Sequence, residues 1–149
     1  MEELYHAGKI KAIGVSNFNR AQLEDLMANN EVKPAIHQIE THAFFQEGES
    51  HEYLKQHGVQ MEAWAPFAEG RHGLFTNATL ATIGRKYNKS VAQVSLRWHF
   101  QRGIVAIPRS HQKVHIAENM DIFDFKLEES DMAAISSLDL NTTQFPEWS

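Results

Sequence analysis

Gly8-Lys-Ile-Lys-Ala-Ile-Gly-Val-Ser-Asn-Phe18 runs directly into Asn19-Arg-Ala-Gln22, and the junction between the two stretches decides how this chain folds. Residues 12–15 form a short apolar run rich in β-formers. Asn19 has the side chain of a helix N-cap, and Gln22 stands three residues later, where a capping box needs it. Phe18 and Leu23 are spaced for a hydrophobic staple, and Leu23, Leu26 and Met27 mark one buried face. A strand, a tight turn and a helix therefore follow one another within a few residues. This is a β-α unit.

The same alternation continues outward from that junction. Residues 36–40, 61–64 and 104–107 are further short β-forming runs. A weaker helical pattern covers 50–56 and stops near Gly58, a suitable C′ residue. After the third strand, Asn77 caps a helix whose inner face is Leu80, Ile83 and Tyr87. Ser90 and Gln93 form a capping box for the next helix, with Val91, Val94 and Trp98 inward. Helical stretches at 113–120 and 129–138 follow the last strand. Strands alternating with helices imply parallel β-α units, four in number. An open four-stranded α/β sheet would leave two edges to pair with other chains. A closed (β/α)8 barrel needs about 250 residues. The chain is thus either a small open α/β protein or half a barrel.

Composition narrows the class of protein without choosing between those two. The 149 residues are 42% hydrophobic and 22% charged, ordinary values for one globular domain. A chain of this size can bury roughly two-thirds of its unfolded surface. No apolar run approaches the ~20 residues of a membrane span, and Met1-Glu-Glu-Leu-Tyr5 lacks the basic start and apolar stretch of a signal peptide. There is no cysteine, hence no disulfide framework and no thiolate metal site, which fits a cytoplasmic protein. A formal charge of -5 with no long basic stripe argues against nucleic-acid binding.

The segments that follow the strands carry a resemblance. Gly8 to Phe18 resembles the stretch that opens the second half of the barrel in the aldo-keto reductase family. His37-Gln-Ile-Glu-Thr-His42 is similar to the family's next strand, and Ala63-Trp-Ala-Pro-Phe-Ala-Glu-Gly70 to the strand and loop after it. Ile107-Pro-Arg-Ser110 and Ile116-Ala-Glu-Asn119 resemble the family's Ile-Pro-Lys-Ser and Glu-Asn signatures, and Ile122-Phe-Asp-Phe125 fits the stretch before its last helix. The match is in order, keeps the family spacing, and is similar in kind to bacterial diketogluconate-reductase-like members. It implies an α/β fold that is half of a TIM (β/α)8 barrel, about four parallel β-α units plus extra helices. Residues 1–149 would be the C-terminal half of an NADP-dependent oxidoreductase domain.

That resemblance also assigns roles. Barrel sites form at strand carboxyl ends, and Ser16, Asn17 and Gln38 offer there the hydroxyl and amide groups that a carboxamide pairs with. By resemblance they grip the nicotinamide carboxamide; read without the family, Ser16 and Asn17 simply end a strand. Trp64 is the residue that would stack on the nicotinamide ring, where a lone strand Trp otherwise reads as core. Ala65, Phe67 and Gly70 belong to the loop over the cofactor pyrophosphate, with Ala65 standing where many relatives carry Ser. Arg109, Ser110 and His115 would hold the adenosine end and its 2′-phosphate. Arg109 keeps the charge of the family's Lys, but His115 replaces an Arg and loses both a full charge and a bidentate fork. Glu118 and Asn119 match the pair that contacts adenine and its ribose. The implied cofactor is NADPH, with NADH admitted because of His115, and the implied substrate of a full-length relative is a small-molecule carbonyl compound.

Other constellations are weaker. Nine histidines invite a metal reading, but His37 and His42 would point to opposite faces of a strand, and His111 with His115 finds no third ligand. Glu40 and Glu62 on strands read as hydrogen-bonded structural groups rather than as a glycosidase pair. The family's catalytic Asp, Tyr, Lys and His all belong to its first four units, so the resemblance assigns no catalytic residue here; Tyr5, Tyr53 and Tyr87 lack the matching partners. Met1 to Tyr5 reads as the middle of a longer helix, and Phe145-Pro-Glu-Trp-Ser149 resembles the start of the variable tail over the substrate pocket. Two functional readings follow: the cofactor-binding half of an aldehyde or ketone reductase, or a non-catalytic half-barrel binding or assembly module. The second would close into a homodimer through its exposed sheet edges.

Overall fold

The computed structural model describes residues 1–148; Ser149, the end of the expected tail, lies outside them. Seven helices alternate with four strands among the described residues: α1 (Glu2–His6), β1 (Gly14–Ser16), α2 (Arg20–Asn29), β2 (Ile36–Glu40), α3 (Gly48–Gln56), β3 (Gln60–Trp64), α4 (Ala78–Tyr87), α5 (Val91–Gln101), β4 (Val105–Ala106), α6 (Lys113–Met120) and α7 (Glu129–Ser136). Short 3₁₀ turns occupy Ala68–Thr76 and Pro146–Trp148. The strands lie in sequence order β1-β2-β3-β4 and every neighbouring pair is parallel. This is the α/β alternation expected from the sequence.

Local chemistry explains the element starts. Asn19 Oδ1 accepts from the Gln22 N–H at 2.9 Å, and the Asn19 N–H donates to Gln22 Oε1 at 2.8 Å, so α2 opens with a complete capping box. Ser90 and Gln93 repeat the device at α5, and Asn77 caps α4 through the Leu80 N–H at 3.1 Å. Each such cap is worth about 1 kcal/mol. Boundaries shift by a residue or two: β1 begins at Gly14 rather than residue 12, α3 already at Gly48, and β4 shrinks to Val105–Ala106. β4 is short because it is a sheet edge, held only by β3.

Alternation along β2 and β3 sorts two faces. Ile39, Met61 and Ala63 point into a core built with Leu23, Leu54, Val59 and Ile104, against which Phe18 and Met27 also pack. Gln38, Glu62 and Trp64 share the opposite face, with Ser16 in register beside Gln38. A second core gathers Leu80 and Ile83 of α4, Val94 and Trp98 of α5, and Ile135 of α7. Fully burying one such aliphatic side chain contributes about 1.5–3 kcal/mol. By contrast α6 buries nothing, and Val114, Ile116 and Met120 stand more than half exposed. No helix among the described residues is long and apolar enough to cross a membrane.

Candidate functional site

The carboxyl ends of β1, β2 and β3 converge. In the register, Ser16 lies beside Gln38 and Gln38 beside Glu62. Asn17 follows β1 in the left-handed conformation, φ 56°, with its N–H on the Gln38 carbonyl at 3.0 Å. Its side-chain Oδ1 accepts from Trp64 Nε1 at 2.8 Å. Gln38 Nε2 donates to Glu62 Oε1 at 2.5 Å. Both amides are thereby oriented in complementary senses. Asn17 has its carbonyl committed and its NH2 group to offer, whereas Gln38 has committed a donor and keeps a carbonyl oxygen as acceptor.

Asn17 and Trp64 line a pocket of about 580 Å³ together with Glu40, Glu47 and Thr143. The Trp64 ring meets Phe145 edge-on, centroids 5.1 Å apart. Burial pushes the Glu47 carboxyl above its ordinary range, against a hydrogen bond from Ser50. Glu40 and His42 sit beneath this end of the sheet, both buried. The Glu40 carboxylate accepts from the Thr143 hydroxyl and the Gln144 N–H, which fastens the chain after α7 to β2. Burial holds His42 below the ordinary imidazole value even though Glu40, 2.8 Å away, pulls the other way.

The chain after β3 is irregular for a physical reason. Ala65, Ala68, Glu69 and His72 all have positive φ, as do Gly70 and Gly73, so the backbone turns repeatedly before α4. Ala65, Phe67 and Gly70 line a second pocket, about 500 Å³, with Phe75, Arg109 and His111. A third pocket of about 380 Å³ is lined by Phe67, Phe75, Arg109, Ser110, His115, Glu118 and Asn119, among others. Phe67, Phe75 and Arg109 belong to both, so these two pockets adjoin. Arg109, His115 and Glu118 are exposed; Ser110 and Asn119 are half-buried.

The structure therefore brings the sequence-derived residues together in three groups: Ser16, Asn17, Gln38 and Trp64; Ala65, Phe67 and Gly70; and Arg109, Ser110, His115, Glu118 and Asn119. Ser16 and Gln38 line none of the three pockets described and lie on the sheet face. Two residues that the sequence reading did not assign to the cofactor site also line these pockets. Phe75 stands where the second and third pockets join, and no periodicity marks it within an irregular loop. His111 accepts a hydrogen bond from Arg109 Nη2 at its Nε2, 2.9 Å; its position two residues beyond Arg109 was the available signal. Among the described residues no group of three or more His, Asp or Glu side chains could hold a metal ion. His37 is buried and accepts from the Phe18 N–H, 3.1 Å.

The sequence and the fold are both similar to those of known proteins. The chain is 48% identical over 138 residues to glyoxal reductase of Bacillus subtilis (strain 168), covering 93% of this chain and 49% of that protein. It is 40% identical over 139 residues to methylglyoxal reductase DkgA of Escherichia coli (strain K12), covering 93% and 50%. Its structure superposes on MGS-M4, an aldo-keto reductase enzyme from a Medee basin deep-sea metagenome library, with a TM-score of 0.92 at 42% identity, over 97% of this chain and 54% of that one. An aldo-keto reductase of the silkworm, Bombyx mori, complexed with NADPH, gives 0.89 at 36% identity, over 95% and 46%. The chain spans about half the length of the curated relatives it matches. The model of the Aldo/keto reductase family matches residues 1–140, and the chain belongs to that family.

Proposed function

We propose that this chain is the C-terminal, cofactor-binding half of an NADPH-dependent reductase of aldehydes or ketones, residues 1–149 forming its part of a (β/α)8 barrel. The reading is supported by the chain order, in which the three groups fall at or after the carboxyl ends of β1 to β4, and by the pockets of the second and third groups, which join through Phe67, Phe75 and Arg109. A nicotinamide carboxamide offers one acceptor and one donor group. The Asn17 NH2 and the Gln38 carbonyl supply the opposite pair, and Trp64, tied to Asn17, offers an aromatic face beside them. Bound there, the cofactor supplies the hydride chemistry; this chain's residues bind and orient it. No residue of the chain is assigned the proton-donor role, and the isolated chain is expected to show no carbonyl reduction above background. A small carbonyl substrate and a cytoplasmic setting belong to the same reading.

The test is a pair of binding titrations, NADPH and NADH, following tryptophan fluorescence. An imidazole at position 115 lacks the permanent charge and planar fork of an Arg, so the phosphate-bearing cofactor gains less from it. His115→Arg is expected to tighten NADPH by about tenfold and leave NADH within about twofold. Equal NADPH dissociation constants in the two proteins would overturn the assignment of His115.

The sheet edges favour a second reading. β1 and β4 are each paired on one side only, and Val105 and Ile107 at the β4 edge are exposed. Two copies related by a two-fold axis can pair β1 of one with β4 of the other, all strands remaining parallel. Sedimentation of the isolated chain decides it: a dimer that dissociates on Val105→Lys supports the reading, and a monomer at all concentrations rejects it.

A further inference from the structure

Glu62 stands in the middle of β3 with no part in the cofactor contacts described so far, although it shares the sheet face that carries Gln38 and Trp64. In the register it lies between Gln38 of β2 and Val105 of β4, so Gln38 is the flanking side chain with a donor to give it. Glu62 Oε1 accepts from Gln38 Nε2 at 2.5 Å. A carboxylate has acceptors only, so the group facing Glu62 must be the NH2 of Gln38, and the Gln38 carbonyl oxygen is turned away from it. An indole N–H is a donor only, which fixes Asn17 in the opposite sense through Trp64. A glutamine amide left to itself turns either end toward a ligand, because its terminal torsion is broad and roughly two-fold. Glu62 removes that choice for Gln38.

We infer that Glu62 is a positioning residue that sets which end of Gln38 meets the cofactor, and so selects a ring substituent with an N–H to donate. This rests on the reading above, that Gln38 and Asn17 grip a nicotinamide carboxamide. The contacts then run from Glu62 Oε1 to the Gln38 NH2, and from the Gln38 carbonyl oxygen to the carboxamide NH2. Glu62 touches neither the ring nor the substrate and acts through Gln38. Without it, Gln38 can offer its carbonyl or its NH2 end, and a substituent that lacks an N–H is accepted by the second. With it, such a substituent leaves the Gln38 oxygen facing a group that cannot donate. A polar group left unpaired on ligand binding is the strongest way a site rejects an analogue lacking its partner.

Dissociation constants are measured for NADP+, for its analogue carrying 3-acetylpyridine in place of nicotinamide, and for 2′-phospho-ADP-ribose, which has no ring. The acetyl group keeps the acceptor that Asn17 meets and lacks the N–H that Gln38 meets. Wild type is expected to bind NADP+ about tenfold more tightly than the acetyl analogue. In Glu62→Met that ratio falls to about twofold, while the ring-free ligand binds both proteins alike. Glu62→Gln, which keeps an acceptor for the Gln38 NH2, retains a ratio above about fivefold. An unchanged ratio in Glu62→Met, or a ratio in Glu62→Gln no better than in Glu62→Met, overturns the positioning role while leaving dinucleotide binding intact. Equal weakening of all three ligands in Glu62→Met marks a merely structural residue and overturns the role as well. Failure of wild type to bind any of the three overturns the binding reading, and the role of Glu62 with it.

Discussion

The Glu40 carboxylate accepts hydrogen bonds from the Thr143 hydroxyl and, at 2.9 Å, from the Gln144 N–H, and it lies 2.8 Å from His42 Nε2. With a side chain only 6% exposed, this one residue ties strand β2 to a segment a hundred residues later and sets Phe145 against Trp64. Glu40→Gln keeps the shape but removes the charge and one acceptor. A lost charge-assisted bond in a buried place costs about 1–3 kcal/mol. We expect that loss in urea unfolding, together with faster proteolysis after residue 139. Glu62→Gln, whose single partner is Gln38 on the half-buried sheet face, is expected to cost less than about 1 kcal/mol. Equal losses in the two variants would contradict this account. Sequence reading anticipated that Glu40 had partners but could not name them, because Thr143 and Gln144 are distant in the chain. Asn19 and Gln22, by contrast, were legible because a capping box closes over three residues.

Element starts and stops were legible wherever a local rule governs them and illegible where tertiary contact does. Gly84 shows the difference: in sequence it is a weak helix former near the end of α4, with an entropic cost and no stated reason. In the structure, a Cβ placed there would stand 2.4 Å from the Lys89 carbonyl oxygen, while the Lys89 N–H returns to the Gly84 carbonyl at 2.8 Å. The α4–α5 turn needs a bare backbone at this point. Gly84→Ala is therefore expected to destabilise by about 2–3 kcal/mol through overpacking. Gly103→Ala meets no atom within 4 Å but must hold φ +73°, so it is expected to cost only about 1 kcal/mol. Thermal melts of the two variants give the order, and the reverse order would refute it. The loop after β3 is the contrary case. Ala65, Ala68, Glu69 and His72 adopt left-handed backbone that their side chains do not favour, so nothing in their identities announced the turns that shape the second pocket.

At the scale of the whole molecule, the four β-α units could be read from strand and helix patterns, and the half-barrel nature from motifs at the strand ends. What could not be read is which polar groups the packing would seal inside. His37, His42 and His99 are buried, the last completely enclosed on α5 between the Ser95 and Thr41 carbonyls. All three are held below the ordinary imidazole value by burial, His99 down to about 4. For His37 the geometry adds a second reason, since its Nε2 accepts from the Phe18 N–H and must stay unprotonated to do so. In the unfolded chain these rings take protons near 6.5, and in the folded chain they do not until lower pH. Between those values the unfolded state binds more protons, so the stability contributed by neutral burial is complete above about 6.5 and is lost as pH falls toward 4. Three such groups give a slope of up to about 4 kcal/mol per pH unit where all titrate only in the unfolded state. His99→Gln retains a donor toward Thr41 and removes one titrating ring. Urea midpoints at pH 7.5, 6 and 5 are expected to fall steeply in wild type, with a smaller slope in His99→Gln. A wild-type stability that is flat from pH 7.5 to 5, or an identical slope in the variant, would show that the buried histidines do not set the acid limit of this fold.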